Sequence, residues 1–72
     1  MTVPDSIYIS VNGFSENVPR NLSIDALITR FNEKDVDLIV ELNGRFVYPA
    51  QYTATRIQPG DRIEFINPNF GG

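Results

Sequence analysis

The residues best suited to chemistry stand at the end of the chain, Asn67-Pro68-Asn69-Phe70-Gly71-Gly72. Glycine loses more conformational freedom on ordering than any other residue and contributes no side chain to packing, so a terminal Gly71-Gly72 predicts a free, flexible end. Its asset is the main-chain carboxylate of Gly72, with no Cβ beside it, on a stem thin enough to enter another protein's active site through a narrow channel. Small residues also gather at ordinary frayed termini, and the tail alone does not separate the two readings. Phe70 either fills a partner pocket and holds the glycines in line or folds back onto this chain's own sheet.

Elsewhere the chemistry is sparse. The chain has no Cys and no His, which removes disulfides, thiol nucleophiles, imidazole bases and the usual zinc ligands. Glu33, Asp35 and Asp37 form an acidic cluster without the ligand spacing or the Gly of an EF-hand, and are read as a solvated loop rather than a metal site. There is no Gly-rich phosphate loop of Walker or dinucleotide-binding form, so no bound cofactor and no catalytic residue is expected on this chain. The net charge is −3, and the six basic residues, Arg20, Arg30, Lys34, Arg45, Arg56 and Arg62, are scattered. They form no stripe that could neutralise phosphates, which disfavours nucleic acid as a partner. Met1 to Ser6 lacks the basic and apolar regions of a secretory signal, and no apolar run approaches the ~20 residues needed to span a bilayer. A cytoplasmic protein with no membrane partner is expected, and the missing cysteine fits a reducing compartment.

The elements that must position the tail are legible in turn. Ile7, Ile9 and Val11 alternate with Tyr8 and Ser10, the period of a strand with one buried face, and Asn12-Gly13 tolerates the two positive φ values of a type I′ turn. Phe14 to Val18 should fold back as the antiparallel partner, with Pro19 closing it at a sheet edge. Ile24, Leu27, Ile28 and Phe31 then fall on one helical face behind Ser23 as N-cap, with Leu22 and Leu27 spaced for a hydrophobic staple and Asp25 at the positive end of the dipole. This predicts a helix of about three turns stopping near Asn32 to Lys34. Asp37 to Leu42 and Arg45 to Tyr48 read as a second hairpin around Asn43-Gly44. Ala50 to Ile57 has no clear period and reads as an irregular crossing with Tyr52 and Ile57 turned inward. Gln58-Pro59-Gly60-Asp61 is a type II turn, and Arg62 to Ile66 is the last strand, with Ile63 and Phe65 on its buried face.

Seventy-two residues allow one domain, of a size that buries roughly 60% of its unfolded surface. The predicted order is ββαβββ, an α+β β-grasp in which a mixed five-stranded sheet packs on one helix. Residues 1–66 make the domain and residues 67–72 a flexible tail. Ile63, Phe65 and Ile66 make the final strand apolar on both faces, which predicts a central position. The residues beyond Asn67, if extended, reach about 15 to 18 Å at ~3.3 Å each.

From Ile7 to Gly72 the chain resembles the ThiS-like sulfur carriers of thiamine biosynthesis, small ubiquitin-like proteins. The matching features are an opening strand ending in Asn12-Gly13, the helix start Ser23 to Ile28, Leu42-Asn43-Gly44 with Val47 and Pro49, Tyr52, Pro59-Gly60-Asp61-Arg62-Ile63-Glu64 and the final Gly71-Gly72. The resemblance implies that an activating enzyme uses ATP and magnesium to adenylate the carboxylate of Gly72. The group is then converted to a thiocarboxylate with sulfur from a donor, and delivers that sulfur to thiazole synthase or another acceptor. It also implies that Gly71, Phe70, Asn69 and Pro68 enter the partner's active site, and that the carrier is no enzyme and is a monomer when free. The chain departs from the pattern in the residues before its first strand and in Pro68 and Phe70. A proline four positions before the last residue is similar to molybdopterin-synthase small subunits, which use the same carboxylate chemistry. A ubiquitin-like modifier and a noncovalent β-grasp interaction module are the further alternatives.

Overall fold

The computed structural model describes residues 5–68. Its elements are β1 (Ser6–Val11), β2 (Phe14–Pro19), α1 (Ile24–Arg30), β3 (Ile39–Leu42), β4 (Arg45–Val47), a 3₁₀ turn (Pro49–Gln51) and β5 (Arg62–Ile66). The strands form one sheet in the order β2-β1-β5-β3-β4. β1 and β5 are parallel, and the other pairs are antiparallel. This is the predicted β-grasp, with the last strand in the centre and β2 at an edge.

The hairpin turns form as their sequences require. Asn12 and Gly13 sit at φ of 52° and 85°, and Asn43 and Gly44 at 53° and 82°. Both residues of each turn therefore occupy the left-handed region that a type I′ connection needs. At the Pro59-Gly60 turn, Gly60 has φ 83° and the Asp61 amide donates to Gln58 at 3.1 Å, as expected for type II.

The alternation of each strand delivers the core. Ile7, Ile9 and Val11 of β1, Val18 of β2, Val40 of β3, Val47 of β4 and Ile63 and Phe65 of β5 pack with Ile24 and Leu27 of α1 and with Ile57. Ile24, Leu27 and Val40 have no exposed surface at all; full burial of an aliphatic side chain of this kind is worth about 1.5–3 kcal/mol. Tyr52 is half-buried against this cluster and Ile57 lies inside it, the inward placement expected of both.

α1 is about one turn shorter than its apolar spacing predicts. Ser23 caps it as expected, its Oγ accepting from the Ala26 amide at 3.1 Å. At the other end Asn32 adopts φ 58°. Its amide donates to Thr29 at 3.0 Å and the Glu33 amide donates to Ile28 at 3.1 Å, the reciprocal pair of a Schellman motif. Phe31 keeps the helical spacing but sits at the C-cap, so the apolar stripe runs past the last helical residue.

The second hairpin is also trimmed. The Asp35 carboxylate accepts from the Asp37 amide at 2.8 Å and the Asp35 carbonyl from the Leu38 amide at 3.2 Å. That local turn consumes the start of the predicted strand, which begins at Ile39. At its far end Tyr48 leaves the ladder because its amide donates to the Gln51 side chain at 3.0 Å and opens the 3₁₀ turn. The segment that follows is tied to the helix entrance: Ile24 donates to Thr55, and Ile57 to Leu22, at 3.0 and 2.9 Å.

One premise about β5 is corrected. Its position is central, yet only one face is covered: Ile63 and Phe65 are buried, whereas Arg62, Glu64 and Ile66 are exposed. Among the described residues the α-helix α1 covers one side of the sheet. The central position of β5 comes from having β1 and β3 on its two edges, not from apolar burial on both faces.

Candidate functional site

The tail leaves the fold from β5, so the site begins with what holds that strand. On one edge, Ser10 and Asn12 donate their amides to Asp61 and Ile63, both at 2.9 Å, in the rungs of a parallel ladder. The next rung would use the Asn12 carbonyl, but the chain has already turned away. The side chain substitutes for it: Asn12 Oδ1 accepts from the Phe65 amide at 2.7 Å.

The opposite edge repeats the device. Asn43 donates its amide to the Arg62 carbonyl at 2.7 Å, and the return bond runs from the Arg62 amide to Asn43 Oδ1 at 2.8 Å. Asn43 Nδ2 in turn donates to Asp61 Oδ1 at 3.0 Å, and Asp61 Oδ2 accepts from the Gln58 amide at 2.8 Å. Each Asn-Gly turn thus reverses its own hairpin and also grips the central strand from one side. Sequence reasoning found the turns and missed the grips. The available signal was asparagine at both positions, since its amide both tolerates positive φ and presents an acceptor.

Beyond the last paired residue, Ile66, which stands opposite Ile39, the root of the tail meets the end of α1. The Phe31 and Phe65 rings pack edge to face at 6.1 Å. Two residues further along each segment, Asn67 Nδ2 donates to Glu33 Oε1 at 3.3 Å, with both residues half-buried. Glu33, read from sequence as part of a solvated acidic loop, is therefore a contact of the tail root. Pro68 follows, exposed and in a turn. The other predicted site residues, Asn69, Phe70, Gly71 and Gly72, lie outside the described residues.

The open face of the sheet carries Tyr8, Phe46, Tyr48 and Ile66 as exposed apolar groups. Phe46 and Tyr48 pack edge to face at 4.6 Å. Glu41 and Glu64 stand directly opposite each other on this face, a like-charge pairing that disfavours the sheet. Tyr52 lies on the helix side, and burial raises its phenol above the ordinary value of 10.0. Among the described residues no group of three Asp, Glu, Cys or His side chains is placed to hold a metal ion, and no helix is long and apolar enough to cross a membrane.

Comparison with known proteins then covers both fold and tail. No curated protein matches the chain. A solved structure, the thiamine biosynthesis protein (ThiS) from Geobacter metallireducens, matches with a TM-score of 0.80 and 28% identity, over 92% of this chain and 100% of that one. The sequence profile of the ThiS family matches residues 6–72, from the first residue of β1 to the terminal glycine. The chain belongs to the ThiS family.

Proposed function

We propose that the chain is a sulfur carrier whose Gly72 carboxylate is activated by a partner enzyme and converted to a thiocarboxylate, with the thiazole of thiamine as the destination of the sulfur. The observation that carries this reading is the family match extending through Gly72. A C-terminal carboxylate has a pKa of about 3.3–3.7 and is an unreactive anion at neutral pH. Attack of a carboxylate oxygen on the α-phosphate of ATP expels pyrophosphate and leaves a mixed anhydride with AMP. A sulfide-equivalent nucleophile then attacks the carbonyl carbon, AMP departs, and the product is a thiocarboxylate on Gly72. Sulfur is carried without a cysteine in the carrier, in keeping with a chain that has none. ATP, magnesium and the bases belong to the activating partner. This chain supplies an anchored strand, a slender end and a surface for recognition, the part of a co-substrate rather than of an enzyme, and we place that role in the cytoplasm.

The test is intact-protein mass spectrometry after incubation with a ThiS-activating enzyme, MgATP and inorganic sulfide. One oxygen should be exchanged for sulfur in the wild type and in no molecule of a variant lacking Gly72. An unshifted wild-type mass, equal reaction of the truncated variant, or adducts on lysines of other proteins in place of the thiocarboxylate would each overturn the reading.

A further inference from the structure

We propose that Glu33 is a positioning residue for the tail: by holding the Asn67 amide it sets the direction in which the chain leaves β5. The proposal rests on the carrier reading for its consequence and on geometry for its substance. Glu33 is itself a fixed post. The left-handed turn at Asn32, with φ 58°, ends α1, and the Glu33 amide is bound to the Ile28 carbonyl at 3.1 Å. From that post Oε1 accepts from Asn67 Nδ2 at 3.3 Å. Two residues back along each segment the Phe31–Phe65 ring pair joins the same two elements at 6.1 Å. The end of α1 and the end of β5 are therefore joined at two successive same-side positions, one apolar and one polar. The polar one sits one residue past the last sheet pair, Ile39 with Ile66.

Its leverage comes from length. The five residues 68–72 extend at most about 18 Å, so a rotation of ~20° at Asn67 would move an extended Gly72 by roughly 6 Å. A reacting carbon must be placed far more closely than that, and misplacement by about 1 Å can cost a hundredfold in rate. Holding the root narrows this search within the docked complex, where it acts on kcat.

The experiment measures turnover of the full-length chain by a ThiS-activating enzyme with MgATP and sulfide, in Glu33→Ala, Asn67→Asp and Glu33→Gln variants. Glu33→Ala removes the acceptor, Asn67→Asp places a second carboxylate against it, and Glu33→Gln keeps a carbonyl oxygen to accept the bond. The expected result is a roughly three- to tenfold lower kcat for the first two with KM unchanged, and recovery in Glu33→Gln. In parallel, NMR relaxation of the Asn67 side-chain NH₂ should show greater mobility in Glu33→Ala and a return towards wild type in Glu33→Gln. Unchanged kcat in Glu33→Ala, an effect on KM alone, or no recovery with Gln would overturn the proposal. If the wild type itself takes up no sulfur, the carrier reading fails, and the Asn67 relaxation alone decides whether Glu33 holds the root.

Discussion

Asn12 and Asn43 each accept a β5 amide through a side-chain oxygen while their own backbones sit at φ near 50°. These two duties separate by substitution at Asn12. Alanine removes the acceptor, leaving the part-buried Phe65 amide unpaired at a cost of about 1–2 kcal/mol, and adds left-handed strain of about 1 kcal/mol. Glycine removes the acceptor without the strain, and aspartate keeps an acceptor. Urea denaturation should therefore rank stability as wild type, then Asn12→Asp, then Asn12→Gly, then Asn12→Ala, with the last about 2–3 kcal/mol below wild type. Equal stability of the glycine and wild-type proteins would show that the turn is the asparagine's only duty. The turn was legible because its preference is local. The grip was not, because its partners lie 53 and 19 residues away, and nothing near Asn12 says which strand will lie beside it. Glu33 is a similar case, with Asn67 34 residues distant.

Helix α1 shows how an apolar stripe overstates an element. The spacing of Ile24, Leu27, Ile28 and Phe31 is helical throughout, but periodicity records which side faces the core and not where the hydrogen bonds stop. The stop lies in Asn32, which the stripe does not include. Glycine lacks the Cβ that makes this conformation costly, so Asn32→Gly should leave stability unchanged or raise it by up to about 1 kcal/mol, whereas Asn32→Ala should lower it by about 1 kcal/mol. Thermal unfolding of the pair checks this; a more stable alanine variant would mean that the Schellman motif does not set the helix end. Strands followed the same logic with better fortune. Their two-residue alternation placed Ile63 and Phe65 correctly in the core, and only local side-chain bonds at Asp35 and Gln51, which no alternation encodes, shortened β3 and β4.

At the scale of the molecule the architecture was readable because each element's apolar face had only one core to join, and the order ββαβββ restricts how one helix and one sheet can meet. The one-sided burial of the outer strands was readable from their alternation, but that of β5 was not, since an exposed Ile66 looks in sequence like a buried one. The same one-sided core predicts an alkaline limit to stability. Burial raises the Tyr52 phenol above its ordinary value, so the folded chain holds that proton more tightly than the unfolded chain. Its contribution is fully present below about pH 10 and is lost as pH rises through the folded value. The urea midpoint should fall above about pH 10 in the wild type and less steeply in Tyr52→Phe; parallel curves would exclude Tyr52 as the cause. Finally, the clasp on β5 has a mechanical meaning. Any pull on the chain beyond Pro68 enters the domain along its central strand, whose parallel neighbour β1 enters the fold from the opposite end. Load applied between those two ends shears the rungs together rather than unzipping them singly, and the side-chain rung from Asn12 shares it. Tugging on the tail therefore meets the fold along the direction in which it yields least.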